Sequence, residues 1–213
     1  MKELERRSYT CEVRADGDEQ GRTISGRPIV YDSKTDIGGW FAEVIDRGAL
    51  NETDLTDVRF LVNHDTQKIP LARSRRNNGN STMQLSADDF GLSIRAQLDT
   101  ENNTEAKALY SAVERGDLSG MSFMFSVESE RWDDLDTDYP TRHILKIGSV
   151  VEVSAVTFPA YDATEIFARS KDALDSARSA LENARQQRAK PLDSGNEVEL
   201  LHEKLRLLGG ITK

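Results

Sequence analysis

The stretch Leu118-Ser119-Gly120-Met121-Ser122-Phe123-Met124-Phe125-Ser126-Val127 decides the fold. Met121, Phe123, Phe125 and Val127 recur at every second position, with Ser122, Met124 and Ser126 between them. A period of two belongs to a β-strand with one apolar face. Downstream, 144–158 repeats the pattern: Val151, Val153 and Ala155 share one face, Glu152 and Ser154 the other. Upstream, strands are expected over 9–15, 23–31, 40–45 and 58–63. The first ends at the turn-prone Asp16-Gly17-Asp18, and the second is interrupted by Gly26 and Pro28. Segments 83–87 and 92–98 read as a hairpin around Asp88-Asp89-Phe90-Gly91. One helix breaks the series, with Thr104 as its expected N-cap. Its apolar positions are Ala106, Leu109, Tyr110 and Val113, and Gly116 is its stop. The fold expected is α+β, mostly antiparallel strands with a helix inserted.

The character changes beyond Pro159. Leu174, Ala177, Leu181 and Ala184 form a narrow stripe in a charged helix over 171–190. Pro191 to Gly195 breaks it. Asn196 and Glu199 then open a second short helix carrying Val198, Leu201, Leu205 and Leu208. A boundary near residue 170 divides the chain into a β-rich domain, 1–170, and a helical tail, 171–213. The tail's stripes suit association with a partner helix or with another copy. The plainer reading is a solvated helix.

The 213 residues are 37% hydrophobic and 31% charged, with a net charge of -9. An acidic chain binds neither nucleic acid nor an anionic membrane through its overall charge, though Arg73 to Arg76 make a local basic patch. No run reaches the ~18 apolar residues of a membrane span, and Met1 to Arg7 lacks the apolar stretch of a signal peptide. The single cysteine, Cys11, leaves no intramolecular disulfide and suits a reducing cytoplasm. Cys11 has no local partner and reads as a small buried hydrophobe rather than a nucleophile.

Of the three histidines, His64 ends the apolar strand Phe60-Leu61-Val62-Asn63-His64-Asp65, where a sheet would fix its place. Ser122 lies between the apolar positions of its strand, after Gly120, which permits close approach of a ligand. Ser119 competes as nucleophile, and alternation does not choose between the two. Glu152, flanked by valines, is either an exposed ion-pair partner or a carboxylate with a specific hydrogen-bonding task. Taken singly, a strand-end histidine and a strand serine are more often structural than catalytic. Asp134, Asp136 and Asp138 alternate ahead of His143, but they lack the glycine and terminal glutamate of a calcium loop, and a solvated hairpin tip fits better.

Together the Asn-His-Asp, Gly-x-Leu-Ser-Gly-Met-Ser-Phe (116–123) and Glu-Val-Ser-x-Val-x-Phe-Pro-Ala (152–160) segments resemble the prohead maturation proteases of Hong Kong 97-type tailed phages. Thr23 to Tyr31, Phe41-Ala42-Glu43 and Arg47-Gly48-Ala49-Leu50 match as well, so the resemblance runs over about 9–168 in order. It departs at Met124, where glycine is common, and at Tyr161-Asp162, where Asn-Pro is usual. Neither change removes a reactive group.

The resemblance implies a serine endopeptidase related to the herpesvirus assemblins, with a β-barrel-like core surrounded by helices. It implies Ser122 as nucleophile rather than Ser119, His64 as base, and Glu152 as third member. Backbone N–H groups would bind the oxyanion, with Arg142 or Arg131 as candidate helpers. No cofactor or metal is implied. The partners implied are the major capsid protein with its scaffold segment, the portal and other prohead proteins, and a second copy of the chain. The setting implied is the assembling prohead in the host cytoplasm, with neither nucleic acid nor membrane as partner. The alternative is a non-enzymatic capsid-assembly or scaffolding protein.

Overall fold

The structure is a computed structural model that describes residues 4–10, 13–18, 21–157 and 171–189. Cys11, the 196–208 helix, His202 and the 158–170 segment lie outside them. In chain order the strands are β1 (Leu4–Thr10), β2 (Val13–Asp18), β3 (Gly21–Val30), β4 (Thr35–Ile37), β5 (Phe41–Ile45) and β6 (Asp57–Val62). They continue with β7 (Ala72–Arg75), β8 (Met83–Asp88), β9 (Gly91–Leu98), β10 (Gly120–Asp133) and β11 (Thr141–Val156). The helices are α1 (Thr104–Glu114) and α2 (Lys171–Ala189). The α+β reading holds.

The strands form two sheets. In the larger, β1, β10, β11, β5 and β4 are neighbours in that order, and β6 joins β11 while pairing with β7. The smaller runs β2, β3, β9, β8. Pairing is antiparallel except where β11 meets β5 and then β6. The inward faces share one core, with Ile24, Leu92 and Ile94 from the small sheet and Phe60, Met121, Phe123, Phe125 and Val153 from the large one. Phe123 and Phe125 lie with ring centroids 4.8 Å apart. Helix α1 adds Ala106, Leu109, Tyr110 and Val113, the four positions its periodicity selects.

Local chemistry explains the details. Pro28 has no N–H to give the ladder, and the β3–β9 register slips between Gly26 and Ile29. The hairpin turn ends at Gly91, whose φ of +136° and 2.0 Å approach of a built Cβ to the Ile29 carbonyl oxygen admit only glycine. Asn103, not Thr104, caps α1: its side chain accepts the N–H groups of Glu105 at 3.0 Å and Ala106 at 3.2 Å. Arg73 does not form a free basic patch, because it pairs with Asp57 through two bonds of 2.6 and 2.7 Å.

By contacts the chain divides into units of Met1–Arg178 and Ser179–Lys213. Helix α2 spans that division. No described helix is long and apolar enough to cross a membrane.

Candidate active site

Strand β11 sets the geometry. β10 pairs along one of its edges, while β5 and then β6 pair along the other. Ser154 lies opposite Ser122 on β10 and Leu61 on β6. Directly opposed residues project to the same face of a sheet, so Ser122 and Ser154 share a face, and Glu152, two residues earlier, shares it too. The β10–β11 pairing is regular from Gly120–Val156 to Met124–Glu152, and its first bulge falls just beyond, between Met124 and Phe125. Bulges next to a regular segment are common at functional sites.

The chain leaves β6 through two consecutive residues in the left-handed region, Asn63 at φ 50° and His64 at φ 58°. Asparagine tolerates this conformation better than most residues. Its position is held on three sides. The Asn63 N–H donates to the Ala155 carbonyl at 2.9 Å. Its carboxamide accepts the Thr157 N–H at 3.0 Å and donates to the Thr157 hydroxyl at 3.1 Å. Asp65 closes the turn, with its N–H on the Val62 carbonyl and its carboxylate accepting from Gln67. The Asn-His-Asp sequence therefore has a local logic: a tolerant residue that clamps, a presented imidazole, and a turn-closing carboxylate.

From this turn the His64 ring reaches back to β11. Its Nδ1 lies 2.5 Å from Glu152 Oε1. The second carboxylate oxygen accepts the Ser154 hydroxyl at 2.6 Å, and Ser154 Oγ in turn accepts the His64 backbone N–H at 3.1 Å. Glu152 is 2% exposed, and Ser122 and Ser154 are fully buried. Alternation sets the serine face of β10 apart from the apolar one without saying whether water reaches it. The structure buries that face, and strand β1, which periodicity did not place, pairs along the edge of β10 with Ser8 opposite Ser122. The Ser122 hydroxyl donates to the Arg7 carbonyl at 2.7 Å. Ser119 is exposed just ahead of β10, outside this register.

The arginines considered for the oxyanion are occupied elsewhere. Arg142 is 2% exposed near the start of β11, and Glu152 lies toward its other end. It is bound to Glu5, Glu43 and Glu130. Arg131 pairs with its neighbour Asp133. His143 turns to Asp46 at 2.8 Å and Asp133 at 3.3 Å rather than to the alternating aspartates.

A histidine backed by a carboxylate, on a sheet face that also carries a serine, is equipped for acyl transfer. The sequence model of the caudovirus prohead serine proteases matches residues 9–177, and the chain belongs to that family. It is thus a protease of phage capsid assembly, working among the capsid proteins of the prohead. Among solved structures, that of the bacteriophage T4 capsid assembly protease, gp21, is similar at 15% identity and a TM-score of 0.45, covering 74% of this chain and 98% of that one. No curated protein sequence matches.

Proposed function

We propose that the chain is a serine endopeptidase in which Ser122 is the nucleophile, His64 the general base and Glu152 the carboxylate that orients it. The observation that carries this is the 2.5 Å contact between His64 Nδ1 and Glu152 Oε1 on the face that bears Ser122. With Nδ1 committed to the carboxylate, Nε2 is the ring nitrogen left to take a proton. Ser122 Oγ attacks the peptide carbonyl carbon and its proton passes to His64 Nε2. The tetrahedral oxyanion is held by backbone N–H groups, each worth about 3 kcal/mol. As the C–N bond breaks, the imidazolium gives its proton to the leaving amine. Water then hydrolyses the acyl-enzyme by the same route in reverse. Glu152 stabilises the imidazolium throughout.

The substrates in this reading are the scaffold segment of the major capsid protein, other prohead proteins and the chain itself, inside the prohead in the host cytoplasm. Residues 1–170 form the peptidase domain, and the helical tail, 171–213, carries it to scaffold helices or to another copy. In the state described here, β1 lies along the serine strand and its Arg7 carbonyl takes the Ser122 hydroxyl.

The test is coexpression with the capsid protein, followed by mass spectrometry of both chains. Ser122→Ala and His64→Ala should each abolish cleavage of scaffold and of the protease, a loss of at least about 10⁴-fold. Scaffold cleavage at the normal rate in Ser122→Ala would leave the non-enzymatic assembly role as the better account.

A further inference from the structure

Ser154 is a fully buried polar residue that the proposed reaction leaves without a task. Its hydroxyl makes two bonds of opposite sense. It donates to Glu152 Oε2 at 2.6 Å and accepts the His64 backbone N–H at 3.1 Å. Glu152 Oε1 meets the His64 ring at 2.5 Å, so the three residues form a closed circuit: hydroxyl, carboxylate, imidazole, backbone and hydroxyl again. A hydroxyl is among the few neutral groups that can donate and accept at one point.

Each bond constrains something different. The bond to Oε2 fixes the rotation of the carboxyl group about its last torsion, which is otherwise broad, and so aims Oε1 at the ring. The bond from His64 N–H holds a residue whose φ of 58° lies in the left-handed region, which a non-glycine residue occupies at a cost and with support from its surroundings. Asn63 has its own supports in Ala155 and Thr157. The His64 backbone N–H is tied to Ser154.

We propose that Ser154 is a positioning residue for the reaction: it sets the carboxylate and the backbone between which the imidazole is held. This inference rests on the reading of His64 as base and Glu152 as its orienting partner. Ser154 is not a second nucleophile, because its proton is directed at the carboxylate rather than at the imidazole. It acts only through His64 and Glu152, so its loss should fall on kcat and leave KM nearly unchanged. A misplacement of about 1 Å at a reacting group costs on the order of 100-fold.

The experiment uses the full-length protein and a scaffold-derived peptide. Ser154→Ala should lower kcat by about 100-fold with KM within about twofold, while Ser154→Thr, which keeps the hydroxyl, restores most of it. In a Ser122→Ala background, the His64 Nδ1 proton resonance of ¹⁵N-histidine-labelled protein should lie far downfield in the parent and in Ser154→Thr. In Ser154→Ala it should move upfield or broaden away. If Ser154→Ala fails to fold, Ser154→Cys, close in size but a weak donor, takes its place with the same expected loss.

Folded Ala or Cys variants with parental kcat and an unmoved resonance overturn the inference, as does a folded Thr variant no better than Ala. A fluorophosphonate adduct mapped to Ser154 instead of Ser122 overturns it too. If Ser122→Ala alone keeps full cleavage, the underlying reading fails instead, and the two failures are told apart.

Discussion

Glu43→Ala should destabilise the folded protein by about 3–5 kcal/mol, through charges the substitution leaves behind rather than through volume. Glu43 is 1% exposed on β5. It accepts Arg7 Nε at 2.5 Å, Arg7 Nη2 at 2.8 Å and Arg142 Nη1 at 3.0 Å. Glu5 is the other buried carboxylate of the group, bonded to Arg7 at 2.6 Å and to Arg142 at 2.7 and 2.8 Å. Glu130 closes the group from the rim against Arg142. Without Glu43, two buried guanidiniums share one buried carboxylate, and their mutual repulsion is no longer offset. Urea unfolding of Glu43→Ala in a Ser122→Ala background, which removes self-cleavage, gives the global cost. Hydrogen exchange at the β1 amides locates it, because Glu5 and Arg7 are the ties of β1 to β5 and β11. The double variant Arg7→Met/Glu43→Ala should recover part of the loss, with a coupling of about 1–3 kcal/mol. A single-variant cost under about 1 kcal/mol, or a double variant equal to the sum of its parts, would refute the reasoning.

The same group predicts an acid limit. Burial pushes the Glu5 carboxyl up, but Arg7 and Arg142 outweigh it and hold the group at about 2, against an ordinary 4.5. The folded value is the lower one. The stabilisation, about 3 kcal/mol, is therefore full above the ordinary carboxylate range and is lost as pH falls from there through about 2. The gap between urea midpoints at neutral pH and at pH near 3 should be smaller in Glu5→Gln than in the parent. Gly91→Ala should cost at least about 3 kcal/mol in thermal melts, since the added Cβ meets the Ile29 carbonyl in a left-handed position. Asn103→Ala should cost about 1 kcal/mol by the same melts, with Asn103→Asp near neutral.

Much of the fold was legible because its signals are local. Alternation located β3, β5, β6, β8 and β9 to within a few residues, and a 3.6-residue period named the buried face of α1. What escaped depends on distant partners. Leu4-Glu5-Arg6-Arg7 reads as a charged terminus, yet it is a strand, because Glu43 pairs with Arg7 and Arg142 with Glu5 from far along the chain. The outer half of β10, through Glu128-Ser129-Glu130-Arg131, has no apolar period to find. It is a strand because β11 pairs with it to Asp133, across several register shifts. At the site, the His64, Ser122 and Glu152 segments stood out by residue type. Ser154 did not: alternation put it on the face of Glu152, but only the turn at His64 brings a backbone N–H to it. Burial of Ser122 was invisible for a related reason: alternation reports that two faces differ, not that the second is open to water.

The reach of the site across the sequence follows from how β11 is used. Antiparallel neighbours can be joined by a short turn, and β10 reaches β11 that way. A parallel neighbour needs a long crossover, and β6 lies beside the end of β11 only after the chain has built β7, β8, β9, α1 and β10 in between. The parallel join carries residue 64 to residue 152, and the antiparallel one carries residue 122 to residue 154. Both arrive at one end of one strand. A slip of a single residue in either pairing would turn the polar set to the opposite face, exchanging Ser122 for Met121 or Phe123 against the carboxylate. The five-residue run of unbroken pairing from Gly120 to Met124 is where such a slip would be most damaging, and the register shifts of β10 all lie beyond it. Twist and bend are thus absorbed in the outer part of the strand pair, and the part that faces Glu152 stays in step.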